Sequence, residues 1–223
     1  MTIGNPAIRS YRLRRGRLGT STATALDRLG GLLVPVDGQQ LDLPALFGRT
    51  APLVVEIGSG MGEATAAMAA ADPGRDVLAV DVHVQGLGRL LRRIEEQELA
   101  NVRAVEGDAV VLLRDMLAPA SVDEVRIFFP DPWPKTRHAK RRLVQRWFVE
   151  LVAGRLIPGG RLHIATDWAP YAADMRAVLT SHPGYEVLYE GTRPPHRPPT
   201  RFEQRGQAAG RPAWDLIVRT HPT

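Results

Sequence analysis

The chain has 223 residues, carries 29 basic and 24 acidic side chains for a formal net charge of +5, and contains no cysteine. The absence of cysteine excludes disulfides, thiolate metal sites and a cysteine nucleophile, and it fits a cytoplasmic location. With no apolar run of about eighteen residues and no apolar segment behind the basic N-terminus, neither a membrane span nor a secretory signal is expected.

The first segment of the chain, residues 1–40, is basic and lacks hydrophobic periodicity. Its arginines cluster near the start, at Arg9, Arg12, Arg14, Arg15 and Arg17. Such a segment is typical of an arm that is partly flexible without its partner, and its charge suits a polyanion. The sequence therefore predicts a basic arm over residues 1–40 and one domain over residues 41–223.

Strand and helix patterns alternate from residue 53 onward. Short apolar runs predict seven strands, at residues 53–57, 76–82, 102–107, 122–129, 161–166, 185–190 and 213–220. Helical patterns separate the first six of them, whereas only a polar loop separates the last two. The sequence therefore predicts an α/β fold with a doubly wound, mostly parallel seven-stranded sheet and an antiparallel hairpin at its C-terminal edge.

A glycine-rich turn, EIGSGMG, follows the first of these strands and precedes a helix. Gly58 allows the tight turn, and Gly60 lets the backbone approach a ligand closely at the helix N-terminus. Dinucleotide-binding enzymes use similar glycines. Glu56, however, suits the cationic amino group of S-adenosylmethionine and would repel a pyrophosphate.

Two further acids follow the next two strands. Asp81 ends one strand and can bind both ribose hydroxyls, while Asp108 follows the other and either meets an adenine or serves as a helix N-cap. The carboxyl ends of parallel strands share one edge of a sheet, so the two acids and Glu56 converge on one crevice. This set favours S-adenosylmethionine over NAD, because no acid–base pair for hydride transfer is evident.

A proline-rich loop, FFPDPWPK, follows the fourth strand. Its three prolines restrict the backbone, so the loop is suited to hold a target base beside the cofactor. Asp131 offers carboxylate oxygens. Trp133 offers either a stacking face or a core side chain in a structural turn.

A run of basic side chains follows this loop, and no acid lies between Asp131 and Glu150. Its members are Lys135, Arg137, His138, Lys140, Arg141, Arg142 and Arg146. A run of one sign beside a candidate active site favours phosphate binding over a plain solvated surface. No metal site is predicted, because His138 has no second histidine or carboxylate at ligand spacing.

Two later motifs, TDW and TRFEQRG, complete the candidate site. TDW places Asp167 at the cleft edge. TRFEQRG offers Thr200, Arg201, Glu203 and Arg205 to a base edge or a phosphate. A polar loop there could be a plain surface excursion, but loops at this end of the sheet are where substrate is recognised.

The motifs FFPDPWPK, RHAKRR, TDW and TRFEQRG together resemble the bacterial tRNA (guanine-N7)-methyltransferase family, over about residues 50–220. The resemblance implies a Rossmann-like class I methyltransferase fold, S-adenosylmethionine as cofactor, and methylation of N7 of a guanosine in the tRNA variable loop. It implies tRNA as the partner, with no membrane and no obligatory protein partner.

The resemblance also implies a role for individual residues. Cofactor contacts are implied for Glu56, Asp81, Asp108 and Asp131, a catalytic role for Asp131, and substrate contacts for Lys135, Asp167, Thr200, Arg201, Phe202 and Glu203. Two positions depart from the common pattern, since family members often have lysine at Arg201 and glutamate at Asp81. The arginine keeps the charge with a different geometry, and the aspartate has a shorter reach.

The chemistry of guanine N7 constrains these roles. N7 has a lone pair and no proton, so no general base is required and Asp131 is expected to orient and to act electrostatically. Either Asp167 or Glu203 could accept hydrogen bonds from guanine N1–H and the 2-amino group. Two alternatives remain: methylation of an exocyclic base nitrogen, and a non-catalytic RNA-binding protein, which the intact acids disfavour.

Overall fold

A computed structural model describes residues 19–222, apart from the side chain of Ser21. The strands are β1 (Leu33–Pro35), β2 (Leu53–Ile57), β3 (Asp76–Asp81), β4 (Val102–Glu106), β5 (Val122–Phe128), β6 (Leu156–Thr166), β7 (Tyr185–Gly191) and β8 (Trp214–Thr220). The α-helices are α1 (Thr20–Arg28), α2 (Leu43–Phe47), α3 (Glu63–Ala71), α4 (Val84–Glu96), α5 (Ala109–Val111), α6 (Arg146–Ala153), α7 (Ala169–Thr180) and α8 (Arg201–Ala208). None of the helices within this part of the chain is long and apolar enough to cross a membrane.

The eight strands form one sheet in the order β1-β4-β3-β2-β5-β6-β8-β7. All neighbouring pairs are parallel except those of β8, which is antiparallel to both β6 and β7. Strands β2 and β3 are buried along their whole length, as expected for strands covered by helices on both faces. The predicted α/β sheet, mostly parallel with an antiparallel C-terminal edge, is confirmed.

The sheet has eight strands rather than the predicted seven. The additional strand β1 has only three residues and pairs with β4 at the sheet edge, where Pro35 is tolerated. A run of this length carries no periodic signal. It lies within the segment predicted as an arm, as does helix α1.

Helix α1 packs against α4, where a Cβ on Gly88 would approach Thr22 Cγ2 to 2.5 Å. Residues 20–35 thus belong to the folded body. The predicted flexibility of residues 1–18, including the cluster of N-terminal arginines, lies outside the described residues.

Helix α8 occupies the connection between β7 and β8 that was predicted to be a polar loop, and that prediction was wrong over Arg201–Ala208. The helix begins at its N-cap Thr200, whose hydroxyl accepts a hydrogen bond from the Glu203 amide at 3.1 Å. Only Glu203 and Gly206 are buried in it. Because neither is apolar, the sequence shows no hydrophobic stripe to reveal the helix.

Apolar side chains fill both faces of the sheet. One face is covered by α4, through Leu87, Leu90 and Ile94. The other face is covered by α6, through Phe148 and Val152. The helices therefore fix the sheet from both sides and leave its carboxyl edge open to loops. The ends of β2, β3, β4, β5 and β6 lie along this edge, where ligands bind in open α/β sheets.

Candidate active site at the carboxyl edge of the sheet

The glycine-rich turn between β2 and α3 has the conformation that only glycine adopts readily. Gly58, Gly60 and Gly62 have φ values of 83°, 56° and 74°. Added Cβ atoms at Gly58 or Gly60 would meet nothing within 4 Å, so open space lies beside the turn. Gly86 of α4, which the sequence analysis missed, is pressed against the Gly60 carbonyl, where a Cβ would clash.

Glu56 is a buried carboxylate, and one of its two oxygens lacks a hydrogen-bond partner among the described residues. Thr65 Oγ1 donates a 2.9 Å hydrogen bond to Glu56 Oε1, whereas Oε2 is buried without a hydrogen-bond partner among the described residues. Burial raises the pKa of Glu56, and the nearby Arg126 opposes this only in part. An unsatisfied carboxylate oxygen beside an open turn is suited to bind a cationic group. The amino end of S-adenosylmethionine is such a group.

Asp81 and Asp108 both have structural contacts at the ends of β3 and β4. The Asp81 carboxylate accepts hydrogen bonds from the amides of Gly60 at 2.9 Å and His83 at 2.8 Å. Burial raises the pKa of Asp81 and these bonds lower it, with a net rise. Asp108 Oδ1 accepts a 2.8 Å bond from the Val110 amide, so Asp108 is an N-cap of α5. The structure thus brings both predicted acids to the edge that carries Glu56.

The loop after β5 has a strained backbone at both ends. Phe129 and Trp133 have positive backbone φ values of 53° and 43°, which residues other than glycine rarely adopt. Trp133 is buried and meets His138 edge to face, with ring centroids 5.9 Å apart. Of the two interpretations of Trp133, the core side chain is therefore the one observed. Asp131, by contrast, is exposed between these two strained positions.

The basic run divides into an anchor and a set of exposed cations. Arg142 is buried, donates a 2.9 Å hydrogen bond to the Pro132 carbonyl, and forms an ion pair with Asp174 of α7. Arg142 thus ties the loop after β5 to the fold. Lys135, Arg137, Lys140 and Arg141 are exposed and form no ion pair within residues 19–222.

Four of the predicted substrate residues, Thr200, Arg201, Phe202 and Glu203, lie at the N-terminus of α8, whereas Asp167 lies beside its C-terminal half at Gly206 and Lys135 is exposed in the loop after β5. Arg201 forms a 2.7 Å ion pair with Glu63, the first residue of α3, so α8 reaches the glycine-rich turn. Phe202 is 63% exposed beside it. Asp167 accepts a 3.0 Å hydrogen bond from Arg211, and its side chain stays 22% exposed.

Glu203 differs from the other predicted substrate residues because it is 1% exposed. Its Oε2 accepts a 2.8 Å hydrogen bond from Arg197, which is fully buried. Arg197 was not among the predicted site residues. It gives no local signal, since it is one of many arginines and its second carboxylate partner, Asp215, lies 18 residues away in another element.

Comparisons with known proteins agree with this arrangement. A family model described as "Putative methyltransferase" matches residues 50–216. A tRNA (guanine-N(7)-)-methyltransferase from Streptomyces coelicolor is 52% identical over 95% of this chain and 80% of its own length. One from Thiobacillus denitrificans is 51% identical over 96% of each chain. A solved rRNA methylase from Streptococcus thermophilus shares the fold with a TM-score of 0.54 at 17% identity, covering 92% of this chain and 99% of its own.

Proposed function

Since this chain belongs to the tRNA (guanine-N(7)-)-methyltransferase family, we propose that it transfers the methyl group of S-adenosylmethionine to N7 of a guanosine in tRNA. The single structural observation that carries the proposal is the open oxygen of the buried Glu56 beside the glycine-rich turn. Such a group is destabilising unless a ligand completes it, which is typical of a binding site.

The cofactor-binding residues we propose are Glu56, Asp81, Asp108 and Asp131, with Gly58 and Gly60 giving room for close approach. When bound, S-adenosylmethionine supplies an electrophilic methyl group on a positively charged sulfur. Glu56 binds the cationic amino end. Asp108 holds the adenine through Oδ2, which accepts no backbone amide. Asp81 holds the ribose through the second lone pairs of its oxygens, each of which already accepts one backbone amide. The raised pKa of Glu56 makes this binding dependent on pH.

Asp131 acts on the target base by orienting it and by stabilising the positive charge that the purine ring gains. It accepts no proton from N7, because N7 carries none. Its position in a loop with two strained residues favours a fixed orientation, since strained backbone persists where the surrounding structure holds it. Arg142 stabilises that loop by donating a hydrogen bond to the Pro132 carbonyl.

Asp167 is the better candidate for selecting guanine. Its carboxylate is partly exposed, whereas that of Glu203 is buried against Arg197. Hydrogen bonds from guanine N1–H and the 2-amino group to Asp167 would exclude adenine, which lacks both donors in these positions. Lys135, Thr200, Arg201 and Phe202 are the remaining substrate contacts in this proposal.

The exposed cations Lys135, Arg137, Lys140 and Arg141 form a phosphate track beside the loop after β5. We place the methylated guanosine in the variable loop of tRNA by resemblance to the family, and the enzyme in the cytoplasm, where tRNA is. No obligatory protein partner is proposed, so the purified chain alone should be active.

Methyl transfer from labelled cofactor to unmodified tRNA by the purified chain tests the proposal. N7-methylguanosine is cleaved by borohydride and aniline, which also maps its position, whereas N6-methyladenosine is not. We expect cleavage at one variable-loop guanosine. Incorporation of label without cleavage would favour an exocyclic nitrogen, and no incorporation together with no cofactor binding in calorimetry would favour a non-catalytic RNA-binding protein.

Two variants of Asp131 separate its possible roles. Asp131→Asn keeps the shape of the side chain and removes the charge, so kcat should fall while binding of tRNA changes little. If Asp131→Asn kept full turnover and Asp131→Ala lost only tRNA binding, the electrostatic role would be wrong.

A further inference from the structure

A buried ion cluster lies behind the candidate active site. Arg197 is its centre and donates two hydrogen bonds to Asp215 of β8, from Nε at 2.7 Å and from Nη2 at 2.8 Å. Its third nitrogen, Nη1, donates to Glu203 of α8 at 2.8 Å. His163 of β6 lies 2.8 Å from Asp215 through Nε2. Each of these four side chains is almost completely buried.

The same guanidinium also contacts the loop that carries Asp131. The carbon Cζ of Arg197 lies 5.4 Å from the ring centroids of both Phe128 and Phe129. Phe128 ends β5, and Phe129 begins the loop, where it is one of the two strained residues. Cation–π contacts are stronger when the cation is removed from water, as the fully buried Arg197 is.

The pKa values of Asp215 and Arg197 show which members of the cluster are charged. Burial raises the pKa of Asp215, but hydrogen bonds from His163 and Arg197 outweigh it, and the pKa is lowered overall. Burial likewise lowers the pKa of Arg197, and its two carboxylate partners reverse this. Both groups are therefore charged in the folded protein, and a bidentate pair fixes the guanidinium plane.

We propose that Arg197 is a positioning residue that holds helix α8 and the loop after β5 at a fixed mutual distance, and that Glu203 acts by anchoring α8 to Arg197 rather than by contacting the guanine base. Arg197 is the one described side chain that touches Glu203, Asp215 and both phenyl rings. Its loss would displace the N-terminus of α8, with Thr200 and Arg201, from Asp131.

A second contact makes α8 sensitive to such displacement. A Cβ on Gly206 would lie 2.7 Å from Asp167 Oδ2 and 3.1 Å from the Arg211 carbonyl. The helix therefore already packs as closely against Asp167 as glycine allows. A shift of about 1 Å in a positioning element can reduce a rate by on the order of 10²-fold.

A double-mutant cycle tests the proposal, whose activity readout rests on the proposed function. The variants are Arg197→Met, Glu203→Gln and the double variant, with kcat and KM measured for tRNA at saturating cofactor. We expect kcat/KM to fall by roughly 10²-fold in Arg197→Met. Both constants should change: kcat should fall and KM for tRNA should rise. Glu203 also forms a 3.1 Å ion pair with Arg193, which Arg197→Met leaves in place. Adding Glu203→Gln should therefore cause a much smaller loss in Arg197→Met than in the wild type, because residues that act as one unit are not additive.

The opposite result is equally defined. If Glu203 contacts the base directly, Glu203→Gln will lower kcat/KM by the same factor with and without Arg197, and the proposal is overturned. Arg197→Lys keeps the charge but cannot make the three-way contact, so it should have intermediate activity. It also serves as the test variant if Arg197→Met does not fold. Arg219→Met is the matched control, because Arg219 lies on β8 in an exposed pair with Glu186.

Hydrogen exchange provides a readout that does not require tRNA methylation. In Arg197→Met and Arg197→Lys, the backbone amides of α8 should exchange faster, while those of β2 and β3 keep their wild-type rates. Unchanged protection of α8 would overturn the proposal even if activity fell. If the wild-type chain methylates no tRNA, the proposed function fails, and hydrogen exchange still decides whether Arg197 holds α8.

Discussion

At the scale of single residues, Glu56 combines a binding role with an unfavourable effect on the empty fold. It is buried, its Oε2 has no hydrogen-bond partner among the described residues, and its pKa is raised chiefly by burial. The folded protein therefore holds the Glu56 proton more tightly than the unfolded chain does. The free energy of unfolding thus decreases as the pH rises between the unfolded and the folded pKa of this group.

Glu56→Gln should separate stability from cofactor binding. At pH 7 we expect the variant without cofactor to be more stable than the wild type, because a neutral amide costs less free energy to bury than a carboxylate whose pKa is raised by burial. Its dissociation constant for S-adenosylmethionine should rise by roughly thirtyfold, or about 2 kcal/mol. Thermal unfolding and calorimetry measure the two effects.

The pH dependence gives the control for this prediction. Wild-type cofactor affinity should fall as the pH falls through the raised pKa of Glu56, because the protonated acid no longer attracts a cation. Glu56→Gln should lack this step. A variant that binds cofactor as tightly as the wild type would contradict the assignment.

Gly206→Ala tests the close packing of α8 on Asp167. Alanine favours the helical backbone by up to about 1 kcal/mol, so the melting temperature should change little. The new Cβ, however, would displace Asp167 Oδ2, from which it would lie at 2.7 Å. We expect kcat/KM for tRNA to fall by about tenfold, the effect of a misplaced substrate contact. Unchanged kcat/KM would mean that Asp167 takes no part in recognition.

At the level of secondary-structure elements, the segment after β5 contains two kinds of basic side chain with different expected effects. Arg137 and Lys140 are exposed, whereas Arg142 is buried and bound to Pro132 and Asp174. Their proximity in sequence conceals this difference. The first kind should act on tRNA affinity through counterion release, and the second on the stability of the loop that carries Asp131.

Salt dependence distinguishes the two kinds. Arg137→Gln and Lys140→Gln should each reduce the slope of log affinity against log salt by roughly 0.7–0.9, with unchanged melting temperature. Arg142→Gln should instead leave the slope unchanged and destabilise the protein by about 2 kcal/mol, since it removes a charged hydrogen bond from a buried side chain to the partly buried Pro132 carbonyl. Binding of tRNA at several salt concentrations measures the slopes. Equal slopes for all three variants would refute the phosphate track.

At the scale of the whole molecule, a second buried ion network joins the sheet to the loop before β3. Glu124 of β5 lies 2.6 Å from Arg75 Nη1 and 2.7 Å from Arg126 Nε. Burial raises the pKa of Glu124, but the two arginines outweigh it and lower the pKa to about 2. The carboxylate therefore stabilises the fold at neutral pH and loses this effect as the pH falls from its unfolded pKa towards 2.

Glu124→Gln should destabilise the protein by about 3 kcal/mol at pH 7, because it leaves Arg126 buried without its charge partner. The difference from the wild type should shrink as the pH falls below the unfolded pKa of glutamate, because Glu124 of the unfolded wild-type chain then binds a proton while the folded carboxylate stays charged down to about pH 2. Denaturant unfolding at several pH values measures it. A constant difference across pH would show that Glu124 contributes through packing alone.

Local sequence patterns were sufficient to predict the α/β alternation, the glycine-rich turn and the convergence of Glu56, Asp81 and Asp108. These follow from local patterns, because parallel strands bring their carboxyl ends to one edge whatever the details of packing. The site residues inferred from the family resemblance also come from the sequence, and their roles stay predictions.

Which charged side chains are buried could be recognised from the tertiary structure alone. Arg197 and Asp215, and likewise Arg142 and Asp174, are partners far apart in sequence. An arginine in a buried pair and one exposed to solvent look alike in the sequence, because burial depends on elements that pack from elsewhere in the chain. Helix α8 was missed for the same reason, since a buried ion pair and a close-packed glycine attach it to the sheet instead of an apolar stripe.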